Sequence, residues 1–172
     1  NVSAAKLQVE SDAAQVGVAQ EFQVDVVLAT EGEDINALEG QVVFPKELMV
    51  VREVHDGLTI IPLWIARPIY SEQTGAVSFS GVIPGGYVGD NGLLFSITFS
   101  SQKEGTGAIE IIGLRVITNS PEATLADATV KPFSVSIMGD TPSLPYQKPQ
   151  QDVELPEAFP LYLSKDAECV ME

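Results

Sequence analysis

The side chains that could do chemistry in this sequence are mostly acidic, and several of them lie in one short segment. Glu31, Glu33 and Asp34 are close neighbours, and Asp90 and Asp127 add carboxylates elsewhere in the chain. Such carboxylates can act as general acid and base or bind calcium. A polar turn between strands is, however, where solvated acidic residues usually collect. The acidic residues therefore indicate a solvated loop first and a calcium site second, and they suggest no other cofactor.

The other residue types used in catalysis form no recognisable set. His55 is the only histidine and precedes Asp56-Gly57, a pair suited to a tight turn. A histidine with no Cys, Ser or second His arranged around it is usually an exposed turn residue. The serines show no nucleophile-elbow pattern, and Cys169 is the only cysteine, so no internal disulfide can form. We therefore expect no enzyme activity and assign no catalytic or metal-binding residue.

Three aromatic residues could bind carbohydrate, because exposed aromatic rings stack on sugars. They are Trp64, which is the only tryptophan, Tyr70 and Tyr87. Tyr87 follows Pro84-Gly85-Gly86, a turn sequence that should place its ring on a loop tip. A single tryptophan more often packs its ring into the core. Carbohydrate binding is therefore an alternative function, and we interpret Trp64 first as a core anchor.

The charge of the chain limits its partners. It has 24 acidic and 9 basic residues, for a net charge of −15. Nucleic acids and anionic lipid surfaces are bound by clustered Lys and Arg, so neither is an expected partner. The longest apolar runs are far shorter than the roughly 20 residues that cross a bilayer, so we expect no membrane insertion within this segment. Secretion is permitted by these features.

The elements that must position these residues are strands. Alternation of apolar and polar residues is clear in 22–29, where Phe22, Val24, Val26 and Leu28 share one face. It recurs in 93–99, where Leu93 lies on the apolar face and Leu94 on the opposite one. It recurs also in 37–44, where Glu39 and Gln41 lie on the opposite face from Leu38. Further strands are predicted at 6–10, 49–54, 76–80, 107–116 and 129–137, and 62–70 should cross an edge or an end. Because no segment has a helical pattern, the sequence predicts an all-β fold, an antiparallel two-sheet sandwich of about nine strands.

The composition changes at Asp140. Residues 140–172 contain five of the eleven prolines, which is typical of a stiff, extended segment. This segment also carries apolar side chains that it cannot bury alone, namely Phe159, Leu161, Tyr162 and Leu163. We therefore expect a sandwich domain at 1–139 followed by a Pro-rich arm at 140–172. The arm could dock on a sandwich, serve as a linker or open a following domain.

Two stretches resemble bacterial cohesin domains. The first is INALEGQVVF at 35–44, followed by PKELMVV at 45–51, and the second is the FSG..PGGY..DNGLLFSITF block at 79–99. The resemblance extends over about residues 5–138. It implies a nine-stranded jelly-roll sandwich that is secreted, displayed at a cell surface, non-catalytic and able to bind other proteins.

In cellulosomal cohesins, polar side chains on the strand corresponding to 37–44 contact the dockerin partner. By this resemblance Glu39 stands for the acidic contact residue, whereas Ala37 occupies a position where an asparagine is expected. That departure concerns dockerin recognition and leaves the fold unaffected. The residues that we predict to bind a protein partner are Glu39, Gln41, Tyr87, Phe159, Leu161, Tyr162 and Leu163.

The sequence therefore favours a non-catalytic extracellular module of a bacterial surface protein that binds a protein partner or copies of itself. In a sharper hypothesis the arm adds residues 159–163 to an exposed sheet edge of a neighbouring copy, which would build a filament. The alternative from another functional class is a carbohydrate-binding module that uses Trp64, Tyr70 and Tyr87.

Overall fold

The structure is a computed structural model that describes residues 4–139. Every regular secondary-structure element in this part of the chain is a β-strand, as the sequence predicts. The strands are β1 (Ala5–Glu10), β2 (Gln15–Gly17), β3 (Glu21–Ala29), β4 (Ile35–Val43), β5 (Met49–His55), β6 (Leu63–Ser71), β7 (Ala76–Tyr87), β8 (Gly92–Ser101), β9 (Gly105–Thr118), β10 (Ala128–Lys131) and β11 (Phe133–Met138). Within these residues no helix could span a membrane.

The strands form two sheets that pack into a sandwich, so the predicted fold class is confirmed. Sheet I has the order β10-β1-β3-β8-β5, and sheet II has the order β2-β11-β9-β4-β7-β6. All neighbours are antiparallel except β1 with β10 and β2 with β11, which are parallel. Two of the nine strand pairings are therefore parallel in a sandwich that is otherwise antiparallel, as predicted. Each parallel pair joins an early strand to a late one, and no hairpin turn dictates its direction.

The core between the sheets contains the residues that alternation placed inward. Val24, Val26 and Leu28 of β3 are fully buried, as are Ile97 and Phe99 of β8. The Phe99 ring lies 5.5 Å from that of Phe22 and 5.1 Å from that of Phe44, centroid to centroid. These contacts tie β3, β8 and the end of β4 together.

The alternation fails at the start of β8. The sequence places Leu93 inward and Leu94 outward, but Leu94 is fully buried and Leu93 only half-buried. The pairing of β3 with β8 shifts register between Val26 and Val27. A bulge of this kind places two residues of one strand opposite a single residue of the neighbouring strand. On the far side of the bulge, the residues that alternation assigns to one face of the sheet therefore lie on the other face.

The PGGY sequence is part of a strand rather than a loop. β7 continues to Tyr87, which pairs with Ile35, and Gly85 and Gly86 have φ values of +90° and +81°. The glycines do supply positive φ, as expected, but the chain bends within β7 and stays in the sheet. Tyr87 is consequently half-buried against the core, and the prediction of an exposed loop tip is wrong.

The predicted strand at 129–137 is in fact two strands. β10 belongs to sheet I and β11 to sheet II, and Pro132 separates them. Proline has no N–H to give to a ladder, so pairing stops there and the chain crosses to the other sheet. With β2 and β6 also forming strands, the count is eleven rather than about nine. The predictions for the 140–172 arm lie outside the described residues.

Candidate protein-binding face

The outer face of sheet II is the surface on which the predicted contact residues Glu39 and Gln41 lie. Leu38 and Val42 of β4 point into the core, with 2% and 0% of their surface exposed. Successive residues of a strand point to opposite sides, so Glu39 and Gln41 are directed outward. β4 is flanked by β9 and β7, and β6 forms the sheet edge.

The strand register arranges the outward side chains of β9, β4, β7 and β6 in three rows. Neighbouring rows are about 7 Å apart along the strands, and neighbouring strands are about 4.8 Å apart. Each row runs in the order β9, β4, β7, β6. The upper row is Ile117, Ala37, Val82 and Leu63, and the middle row is Arg115, Glu39, Ser80 and Ala66. The lower row is Ile112, Gln41, Ser78 and Ile69.

The ends of these rows expose large aliphatic side chains. Leu63 is 54% exposed, Ile69 68% and Ile112 49%, and Ile65, in the irregular part of β6 between Trp64 and Ala66, is 71% exposed. A single exposed aliphatic residue is ordinary, whereas several on one face make that face a candidate interaction surface. We call the three rows together with Ile65 the row face.

The charges within the row face compensate each other. Arg115 Nη1 donates to Glu39 Oε1 at 3.1 Å, and both side chains are about half exposed. A solvent-exposed pair of this kind stabilises the fold by at most about 1 kcal/mol. Its consequence is electrostatic, because the row face is close to neutral in a chain whose net charge is −15.

The outer face of sheet I has the opposite character. Ser96 Oγ donates to Asp25 Oδ1 at 2.6 Å, and Gln23 Nε2 donates to the same oxygen at 3.0 Å. A shallow depression on this side is lined by Glu10, Asp12 and Asp25 among others. Sheet I therefore presents hydrogen-bonded polar and acidic groups to solvent, and the exposed aliphatic cluster is a feature of sheet II.

Tyr87 lies apart from the other predicted contact residues. It pairs with Ile35, which is fully buried, and its ring covers Gly89 and Gly92, where an added Cβ would come within 2.5 and 2.8 Å of the tyrosine. The structure thus brings Glu39 and Gln41 together and separates Tyr87 from them. Phe159, Leu161, Tyr162 and Leu163 are outside the described residues.

The three aromatic residues of the carbohydrate alternative do not form one platform. The Trp64 ring is half-buried and meets Phe95 edge-to-face, with centroids 6.4 Å apart, in agreement with a core anchor. Tyr70 is 41% exposed and pairs with Val77 of β7. Tyr87 lies toward the other end of β7: its partner Ile35 and the partner of Val77, Val42, are seven residues apart on β4, which corresponds to about 23 Å.

Two of the acidic residues considered for calcium accept hydrogen bonds through their carboxylates. Asp90 Oδ1 accepts the Glu31 N–H at 3.1 Å, and Asp34 Oδ2 accepts the Asn119 amide at 3.0 Å. Between residues 4 and 139 no three His, Cys, Asp or Glu side chains are grouped so as to hold a metal ion. His55 is exposed, and its Nε2 lies 3.4 Å from Glu53 Oε2.

Sequence reasoning missed the aliphatic part of the row face. Ile65 and Ile69 belong to a segment predicted only to cross an edge, because LWIARPIYS does not alternate. The structure explains this pattern by two register shifts in the pairing of β6 with β7. The adjacent residues Ile111 and Ile112 did indicate an exposed aliphatic side chain, because one of two neighbouring strand residues must face outward.

Comparison with known proteins identifies the fold. A scan against protein-family models finds no match, and no curated protein is significantly similar in sequence. Among solved structures, the non-cellulosomal cohesin of the archaeon Archaeoglobus fulgidus is similar with a TM-score of 0.64 and 14% identity, over 79% of this chain and 92% of that one.

Two bacterial structures give the same result. The OlpA cohesin, solved in a type I cohesin–dockerin complex from Clostridium thermocellum, has a TM-score of 0.64 and 13% identity over 79% of this chain and all (100%) of the other. The cohesin module of a Clostridium perfringens family 33 glycoside hydrolase has a TM-score of 0.61 and 9% identity over 80% and 99%. At these identities the similarity establishes the architecture alone: residues 4–139 have the jelly-roll fold of cohesin modules.

Proposed function

We propose that this chain is a non-catalytic module of an extracellular assembly and that it binds a protein through the row face. The observation that carries this proposal is the cluster of exposed aliphatic side chains, Leu63, Ile65, Ile69 and Ile112, around a polar and electrically compensated centre. Protein interfaces also combine apolar and hydrogen-bonding groups, although most place the apolar groups at the centre and the polar groups at the rim, the reverse of the arrangement on the row face.

The chemistry of the row face suits protein better than sugar or nucleic acid. Fully burying an aliphatic side chain contributes about 1.5–3 kcal/mol, so burial of Ile65 and Ile69 can offset part of the free-energy cost of association. Gln41, Ser78 and Ser80 offer an amide and two hydroxyl groups that can fix the register of a partner. The row face has no exposed aromatic ring for stacking and no cluster of basic residues.

The comparisons support an assembly role. Several of the similar structures are cohesins bound to dockerins, and one is a type II cohesin from the cellulosome of Acetivibrio cellulolyticus. The absence of a catalytic side-chain set from the sequence is consistent with such a role. By the resemblance to cohesins, an asparagine is expected at position 37. This chain has Ala37 there, so the upper row is entirely apolar. We therefore propose a protein partner and leave the dockerin class as one candidate.

The test is affinity capture from the secreted proteins of the source organism, with a substitution in the row face and a matched control. Ile69→Lys places a charge in the lower row, whereas Leu58→Lys changes an 86% exposed residue between β5 and β6. A captured protein is then purified and titrated calorimetrically against both variants. We expect Ile69→Lys to weaken binding at least tenfold and Leu58→Lys to leave it unchanged. Equal binding by both variants would exclude the row face.

The 140–172 arm is a separate route to self-assembly that we propose from its composition. Strand addition at β6 is opposed by Pro68 and by the two register shifts, both of which are features that protect sheet edges. Light scattering should compare the full chain with a chain ending at Gly139. If only the full chain associates, the arm is the contact between copies, and if neither associates, the filament hypothesis is wrong.

A further inference from the structure

We propose that the row face binds a second copy of this chain, forming a two-fold symmetric dimer whose axis runs parallel to the strands between β4 and β7. This inference rests on the proposed function, namely that the row face binds protein. It goes further by identifying that protein as a second copy of the same chain.

The argument begins with the symmetry of the four strands. β4 and β7 are the central pair, and β9 and β6 flank them. A two-fold axis in the plane of the interface and parallel to the strands exchanges β4 with β7 and β9 with β6. It keeps every row at its own height, so each row of one copy faces the same row of the other copy in reverse order. A self-complementary row is therefore required for such a dimer.

The apolar positions satisfy this requirement. In the upper row, Ile117 of one copy faces Leu63 of the other, and Ala37 faces Val82. In the lower row, Ile112 faces Ile69 across the axis. Each of these pairs joins two aliphatic side chains, and three of the six residues are about half exposed or more in the single chain. Their burial supplies the driving force for association.

The polar positions are complementary as well. Gln41 of one copy faces Ser78 of the other, so an amide meets a hydroxyl group, and either can donate. Glu39 faces Ser80, whose hydroxyl can donate to the carboxylate that already accepts from Arg115. Arg115 faces Ala66 and the neighbouring Ile65, which can cover the aliphatic part of the arginine side chain.

Electrostatics favours this face over the other. Two chains of charge −15 repel each other, and contact through sheet I would bring acidic residues such as Asp25 and Glu10 together. On the row face Glu39 and Arg115 compensate each other within one copy, and the axis sets neither directly opposite a like charge. The two Glu39 residues lie next to each other across the axis, each paired with its own Arg115. Like charges placed opposite each other are what excludes most wrong pairings.

The size of the face sets the strength of the dimer. The three rows cover about 14 Å along the strands and about 14 Å across them. This is smaller than the roughly 800 Å² that each partner buries in a standard stable interface. We therefore expect a reversible dimer with a dissociation constant of about 10–100 μM, which becomes tighter as salt screens the repulsion between two chains of charge −15.

The experiment is sedimentation velocity on the full chain across the concentration range around that dissociation constant. Ile69→Lys and Ile112→Glu should each weaken dimerisation at least tenfold. Because Ile69 and Ile112 face each other only across the axis, the double variant should recover most of the loss. Leu58→Lys is the control and should dimerise like the unchanged chain. Both substituted residues are exposed, and unchanged melting temperatures will show that the variants fold.

The outcomes separate the two proposals. A full chain that stays monomeric, or a dimer that Ile69→Lys leaves intact, overturns the second-copy inference. Dimerisation that is lost when residues 140–172 are removed also overturns it, since the arm then makes the contact. If the chain is monomeric but captures another protein in a manner sensitive to Ile69→Lys, the protein-binding face stands and only its partner was wrong. Loss by the single variants with recovery in the double variant establishes the dimer and its register.

Discussion

Phe95 at the centre of β8 is the residue whose removal should damage the sandwich most. Its side chain is fully buried, and its ring makes edge-to-face contacts with Phe79 at 5.1 Å and with Trp64 at 6.4 Å, centroid to centroid. Phe79 and Trp64 belong to β7 and β6, so Phe95 joins sheet I to the strands that carry the row face.

The size of the effect follows from these contacts. Replacing a buried phenylalanine by alanine costs about 3–5 kcal/mol, depending on how far the surroundings collapse into the cavity. The strands around Phe95 are held in ladders on both sides, so little collapse is expected and the upper half of that range applies. We expect Phe95→Ala to lower the free energy of unfolding by about 4 kcal/mol, a large share of the 5–15 kcal/mol of a typical domain.

Urea unfolding measures this loss, with Trp64 as the fluorescent probe because it is the only tryptophan. For a denaturant slope of about 2 kcal/mol/M, the midpoint should fall by about 2 M. Circular dichroism should give the same midpoint, which shows that the altered surroundings of Trp64 do not distort the result. Ile69→Ala, at a 68% exposed position, is the control and should change the free energy by no more than about 0.5 kcal/mol. A Phe95→Ala midpoint within about 0.5 M of the unchanged chain would refute the reasoning.

Three further predictions test other parts of the structure. Gly86→Ala should lower the melting temperature by several degrees, because φ is +81° and the new Cβ would meet the Asp34 carboxylate; an unchanged melting curve would contradict the positive φ. A double-mutant cycle on Glu39 and Arg115 should give a coupling of less than about 1 kcal/mol, and a value above about 2 kcal/mol would mean that the pair is less exposed than described here. Chelation with EDTA should leave the melting temperature unchanged, whereas a clear decrease would place calcium at the acids of 31–34 or at Asp90.

The parts of the fold that were predictable from sequence are the strands in which one side is buried in the core and the other side is exposed to solvent. β3 and β4 have this character, so alternation gave their inward residues and the outward direction of Glu39 and Gln41. Pro132 carries a signal that the prediction of one strand at 129–137 did not use, since proline is confined to the ends and edges of sheets; nothing in the sequence indicated the change of sheet.

What the sequence did not reveal depends on pairing between distant strands. The register shift at Val26 that buries Leu94, and those that expose Ile65 and Ile69, belong to pairs of strands rather than to either strand alone. The three rows of the row face likewise exist only once β9, β4, β7 and β6 are aligned. No local pattern contains this information, so only Glu39 and Gln41 could be assigned to the site in advance.

The two parallel edge pairs have a mechanical consequence. The last two strands are hydrogen-bonded to the first two: β10 pairs with β1, and β11 pairs with β2. Force applied at Ala5 and Gly139 therefore pulls paired parallel strands in opposite directions along their length. The hydrogen bonds between them are then sheared together, whereas a terminal hairpin would open one bond at a time. A domain built in this way should therefore unfold only at a high force when it is pulled by its two ends.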